Sequence, residues 1–285
     1  MTGKVYEIVT QKIIEQLEAG TVPWHKPWVG GEAINYVSRK PYQGINRLLL
    51  PFGGEWLTFN QAKAAGGSIR KGEKSSMIVF FKMLEKKDEG RQESVNAEYL
   101  PFLRYTNVFH ISQCDGIESK LEQTERDEVA PIESAQAIID EYLSRSGVNF
   151  SHIEGGNMAC YNMNHDRITM PPMNRFDSIE AYYSVSFHEA AHSTGHPSRL
   201  NREGLGEVAF GSKVYGREEL IAEICSAFVL DIAGIDPAVT LENTTAYIQA
   251  WMKTIKEDTR AIVTAASKAQ KAANLILGVE LQTEG

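Results

Sequence analysis

His188 and His192 stand four residues apart, with Glu189 beside the first, in the run Phe187-His188-Glu189-Ala190-Ala191-His192. On a helix this spacing projects both imidazoles from one face. Two rings one turn apart can grip a single divalent ion at about 2.0–2.1 Å. Glu189 is then placed to take a proton from water at the ion, which is the chemistry of a metal-dependent hydrolase. A helix is expected here on independent grounds. Asp177 with Glu180 reads as a start of capping-box type, Ala181, Tyr182, Val185, Ala190 and Ala191 supply small or apolar helix residues, and Gly195 ends the segment.

The third ligand must come from elsewhere. Metzincins carry H-E-x-x-H-x-x-G-x-x-H. Here Gly195 is present, but Arg199 stands at the last position and His196 follows the glycine directly. Arg217 to Ala233 reads as a second helix ended by Gly234, with a core-facing stripe of Leu220, Ile221, Ile224, Phe228 and Ile232. Within it, Glu219 to Glu223 forms E-x-x-A-E, which resembles the E-x-x-A-D of several gluzincin families. That resemblance implies Glu219 as the third ligand and Glu223 as acceptor for the ring N–H of a ligand histidine. Glu218 is expected to face solvent.

Water would complete the site, amide hydrolysis is the matching reaction, and Tyr215 or His196 could stabilise an oxyanion. Histidine and carboxylate donors suit Zn²⁺, the ion expected here, while Mn²⁺, Co²⁺ or Ni²⁺ could replace it. Arg167 to Met170, before Pro171-Pro172, reads as an edge strand, either an ordinary one or one that pairs with an extended substrate as in zincins.

These elements sit in a 285-residue chain, enough for one large or two ordinary domains. Its 23% charged and 42% hydrophobic residues fit a globular protein. Cys114, Cys160 and Cys225 form no CxxC pair, which points to a reducing, cytoplasmic setting. No basic segment followed by an apolar run suggests a secretory signal, and no stretch of about 18 apolar residues suggests a membrane span.

The net charge of −8 is unevenly spread. Residues 24–110 hold 13 Lys/Arg against 8 Asp/Glu, and the rest of the chain holds 16 against 29. A basic first half and an acidic second half suggest different partners.

The periodicity predicts an α+β protein: a small mixed α/β domain over 1–117, an acidic linker over 118–131 and a mainly helical domain over 132–285. Thr2 to Ala19 has helical spacing, Thr58 and Gln61 cap a short helix before Gly66-Gly67, and Met77–Met83 and Tyr99–Ile111 are strand-like. Ile132–Ser146 is helical, Phe150–Asn162 holds short strands, and two helices follow from Asn243 and from Arg260.

The first half interleaves rings and cations: Trp24, Lys26, Trp28, Arg39, Lys40, Tyr42, Arg47, Arg70, Lys71 and Lys74. This is the mixture that holds single-stranded nucleic acid, with rings for stacking and cations for phosphates. Trp56 and Phe59 are expected in the core.

Several longer runs resemble the ArdC antirestriction family. They are Gly20 to Trp28, Pro41 to Arg47, Trp56 to Ala62, Arg70 to Lys74, Phe187 to His192, Thr194 to Leu200 and Tyr215 to Leu220, spread over nearly the whole chain. The resemblance implies a protein of a conjugative plasmid or phage. Its first domain would bind single-stranded DNA, and its second would be a zincin-like metallopeptidase domain. A host restriction or other defence protein is a candidate partner of that second domain, on our own reading of the two-part chain. Incoming DNA would be protected from restriction. Two alternatives stay open: a single-strand binder whose metal site is purely structural, and a metalloprotease whose first domain binds protein.

Overall fold

The computed structural model describes residues 2–19, 22–24, 32–51, 53–85, 99–121, 131–153, 158–202, 213–237 and 244–279. Helix α1 (Thr2–Glu18) buries Val5, Val9, Ile13 and Leu17, the stripe that its spacing predicts. Strand β1 (Ala33–Asn35) is followed by α2 (Ile45–Leu49), β2 (Gly54–Leu57) and α3 (Phe59–Ala64). A capping box of Thr58 and Gln61 starts α3. Then come β3 (Ser68–Ile69), β4 (Ser76–Glu85), β5 (Tyr99–His110) and β6 (Cys114–Asp115). The main sheet has the order β1-β2-β5-β4, parallel only between β1 and β2, while β3 and β6 form a separate pair.

The second half is mainly helical. It runs α4 (Pro131–Ser146), β7 (Asn149–His152), β8 (Cys160–Asn162), β9 (Arg167–Met170), α5 (Ile179–Ser193), α6 (Lys213–Ala233), α7 (Thr244–Glu257) and α8 (Ala261–Leu277). The protein is therefore α+β, with a mixed α/β first part and a helical second part. Helix α6 is buried nearly all round, from Leu220 to Ala233, as a central helix must be. It packs on α5 and on the alanine-rich α8, where Ala265, Ala266, Ala269, Ala272 and Ala273 are buried and let backbones approach.

The two halves share one core. The largest apolar cluster joins α1, Trp24, Ile45, Leu48, Met77, Val79 and Leu103 to the helices of the second half. Trp24 meets Trp251 edge-on at 5.1 Å between ring centroids, and Thr10 Oγ1 donates to the carbonyl of Thr259 at 2.6 Å. The Gly44 N–H donates to Gln270 Oε1 at 3.1 Å, and Gly44 holds φ +56, a conformation that favours glycine.

Several local expectations need correction. Ser178, not Asp177, caps α5, its hydroxyl accepting from the Ala181 N–H at 3.1 Å. Helix α6 begins at Lys213 rather than Arg217, and Ile232 is exposed. Strand β9 is not an edge, because it lies between parallel β7 and antiparallel β8. Phe59 is 60% exposed instead of lying in the core, because it opens the short helix α3, whose buried residue is Ala62. Of the expected linker, 122–130 lies outside the described residues. Residues 118–121 dock on the first sheet instead: Ser119 Oγ donates to buried Glu55 at 2.6 Å, and the Lys120 ammonium sits 4.1 Å over the Tyr36 ring.

Candidate metal centre

Helix α5 turns Tyr183, Phe187, Ala190 and Ala191 into the core. The i, i+4 relation then leaves His188 and His192 together on the face toward α6. They remain partly accessible, at 18% and 13% of their side-chain surface. Helix α6 brings Glu219 against both. His188 Nε2 lies 3.5 Å from Glu219 Oε2, His192 Nε2 lies 3.4 Å from Glu219 Oε1, and the two Nε2 atoms are 3.1 Å apart. These three residues are the group of metal-ligand type found among the described residues. Four donors placed tetrahedrally about an ion at about 2.05 Å are separated by about 3.3 Å. The ring-to-ring separation and the approach of each ring to one oxygen of Glu219 lie near that value, and one donor atom from each residue falls within 4.8 Å of the others, so the donors present suit a divalent ion in type and proximity.

Each ring is backed by another carboxylate of α6. His188 Nδ1 lies 3.5 Å from Glu223 Oε1, and His192 Nδ1 lies 3.4 Å from Glu218 Oε1. Glu218 is thus not solvent-facing but 8% exposed, which corrects the expectation from sequence. Helical periodicity alone could not reveal this, because its buried partner, Arg202, comes from the segment after α5.

The charges reinforce one another. Burial would lower the His192 pKa, but hydrogen bonds with Glu218 and Glu219 and the charges around it push it up to about 10. Burial also disfavours protonated His188, which Glu219 and Glu223 more than offset. Burial would raise the Glu219 carboxyl, yet both imidazoles hold it far below the usual carboxylate range. An ion bound by these rings must therefore displace protons. Glu189 is 8% exposed and lies close enough for its charge to act on both rings and on the Cys160 thiol of β8.

Of the two oxyanion candidates, the Tyr215 side chain lies outside the described residues. His196 is turned to Ser198, with Nδ1 2.7 Å from the Ser198 hydroxyl. Cys225 is fully buried, and burial pushes its thiol up to about 12, so it is an inert core residue.

The chain matches two family models: the N-terminal domain of anti-restriction factor ArdC over residues 3–109, and a zincin-like metallopeptidase over residues 137–268. The protein y4eC of Sinorhizobium fredii (strain NBRC 101917 / NGR234) is 34% identical, with 95% of this chain and 90% of that protein covered. Two DNA primases TraC of Escherichia coli are each 36% identical over 96% of the chain, which spans 20% and 27% of their length. The metal-free crystal structure of the antirestriction ArdC protein from the R388 plasmid superposes with a TM-score of 0.75, at 34% identity, covering 95% of this chain and 96% of that one.

The chain belongs to the ArdC antirestriction family.

The Mn(II)-bound structure of the R388 ArdC protein also matches, with a TM-score of 0.75 and 33% identity over 98% of this chain and 99% of that one. A divalent ion accordingly belongs to this ArdC fold, in keeping with the donor set described above.

Among the described residues, those expected to touch nucleic acid separate into three groups. Trp24, Tyr42 and Arg47 are built into the ArdC core and are corrections. Trp24 is 3% exposed. Tyr42 is buried and accepts from Asn35 Nδ2 at 3.1 Å; burial raises its pKa and that hydrogen bond offsets part of the rise. Arg47 pairs with Asp231 at 2.8 Å and lies 4.2 Å over the Phe228 ring. Arg39 pairs with buried Glu55, and Arg70 pairs with Glu73 at 2.9 Å, so both are engaged by acids. Lys40, Lys71 and Lys74 are exposed, while Lys26 and Trp28 lie outside the described residues. The sequence reading missed Phe59, whose exposed ring lies one turn from exposed Lys63 on α3.

Proposed function

We propose that this chain is an antirestriction protein of a plasmid or phage, one that binds single-stranded DNA and carries a metal-dependent peptidase domain. The observation that supports this most is the convergence of His188, His192 and Glu219 within 4.8 Å in a chain of ArdC type. A divalent ion at this site supplies Lewis-acid polarisation and a lowered pKa for water. His188 and His192 offer their Nε2 atoms and Glu219 a carboxylate oxygen. Glu189 is the base for a proton leaving water in the site. Strand β8 is an edge among the described residues and packs on α5, so an extended peptide from a host defence protein would lie along β8 rather than β9. Zn²⁺ suits these donors, and Mn²⁺ suits them as well.

On the first half, Lys40, Lys63, Lys71, Lys74 and the exposed Phe59 ring provide charge and a stacking face for a single strand. The test is titration of a labelled single strand at several salt concentrations, together with a restriction-protection assay. Binding that weakens steeply with salt supports the reading, and no binding at low salt refutes the DNA part. Glu189→Ala is expected to keep the ion and lose protection. Retained protection would leave the metal a structural role.

The loss of Trp24, Tyr42 and Arg47 to the core favours one second reading: the first half as a protein-binding module, which the same absence of DNA binding would support.

A further inference from the structure

Beyond the three donors, one feature of the site is built from residues that no ion would touch. Arg202 lies in the segment after α5 and is 7% exposed. Its backbone N–H donates to the carbonyl of Gly195 at 3.0 Å, which folds the segment back against the end of α5. From there its guanidinium grips Glu218 in bidentate fashion: Nε donates to Oε2 at 3.1 Å, and a terminal nitrogen donates to Oε1. The remaining donors reach the Thr194 hydroxyl and, at 2.8 Å, the carbonyl of Ala191 in the last turn of α5. Glu218 in turn faces His192 Nδ1 at 3.4 Å.

We propose that the buried Arg202–Glu218 pair is a positioning device for the ion: it fixes the Nδ1–H tautomer of His192 and withholds Glu218 from the ion. This rests on reading His188, His192 and Glu219 as a metal centre. With Nδ1–H held by a carboxylate, the proton that an ion displaces is the one on Nε2, whose freed lone pair points toward Glu219 and His188. Glu218 adjoins Glu219 in sequence and would be a competing oxygen donor if free. The planar guanidinium occupies both its oxygens, a geometry that lysine could not reproduce. Arg202 also ties the end of α5 to α6, the two helices whose spacing sets the 3.4–3.5 Å ring-to-carboxylate separations.

The test is calorimetric titration of the full chain with Mn²⁺. The chains compared are wild type, Glu218→Leu, Glu218→Gln, Arg202→Met and the double variant Arg202→Met/Glu218→Leu, with the metal-free melting temperature of each. The double variant keeps the interior neutral, so it guards against loss of fold through one unpaired buried charge. Affinity should fall about 10–100-fold in Glu218→Leu and in the double variant. It should recover in part in Glu218→Gln, which restores an acceptor oxygen for Nδ1–H. Imidazole ¹⁵N spectra of the Zn²⁺-loaded chain should show His192 protonated at Nδ1 in wild type and lacking that hydrogen bond in the double variant. A double variant that folds and binds Mn²⁺ as tightly as wild type overturns the proposal. So does an unbonded Nδ1–H in loaded wild type. His188→Ala separates the two levels: if it still binds Mn²⁺, the metal centre itself is misassigned, whereas its loss of binding beside an unaffected double variant removes only the positioning role.

Discussion

Replacing Arg47 by methionine separates a packing residue from a DNA contact. The guanidinium is 10% exposed and its partner Asp231 25%, at 2.8 Å, so the pair lies between the buried and the surface extremes. Breaking a buried pair costs about 3–5 kcal/mol, and breaking a surface pair about 0.2–1 kcal/mol. Intermediate burial, with Asp231 able to recover some hydration, gives about 2 kcal/mol on that scale. The cation 4.2 Å over Phe228 adds about 1 kcal/mol, part of which a methionine sulfur on the same ring would restore. Arg47→Met should therefore lose about 2–3 kcal/mol in urea unfolding of the full chain. The salt slope of single-strand binding should stay unchanged, because no phosphate contact is removed. Lys71→Ala should do the reverse, flattening that slope by about 0.7 with little change in stability. An Arg47→Met chain within about 0.5 kcal/mol of wild type, with a flattened slope, would place Arg47 on the DNA surface and not in the core.

Three further outcomes follow from the site and its supports. Mn²⁺ at 100 times its dissociation constant should stabilise the chain by about 2.7 kcal/mol in thermal or urea unfolding, an increment that a chelator and His188→Ala both remove. Glu189→Ala should keep that increment while losing protection of DNA against restriction, measured side by side. Asp166 gives a pH signature. Burial would raise its carboxyl, but hydrogen bonds from Arg199 and Tyr161 pull it below the usual value. A depressed carboxyl stabilises the fold above its unfolded pKa of about 3.9, and that contribution fades as pH falls through this value toward the folded one. The difference in unfolding free energy between wild type and Asp166→Asn should therefore be constant near neutrality and shrink below about pH 4. A difference that does not change with pH would remove the ion pair with Arg199 from the account.

What could be read from the chain follows the range of each interaction. The stripe of α1, the Thr58–Gln61 box and the pairing of His188 with His192 on one helix face depend on spacings of three or four residues, and the structure contains each of them. The α5 cap moved by one residue because Asp177 and Ser178 are both good capping types, and only the path of the chain into the helix selects Ser178. Strand β9 read as an edge because prolines follow it, but a proline after a strand does not prevent pairing along its length, and β7 and β8 flank it.

By itself, then, the sequence determined the helices, the α+β order and the pair of imidazoles aimed one way, because local geometry is set by residues close along the chain. Tertiary structure alone decided that Trp24 packs against Trp251 and Arg47 against Phe228 and Asp231 rather than facing DNA. It also decided that Glu218 is buried on Arg202 while its neighbour Glu219 meets both rings. In each case the contact joins segments far apart in the chain, and burial is a property of that contact, not of residue type.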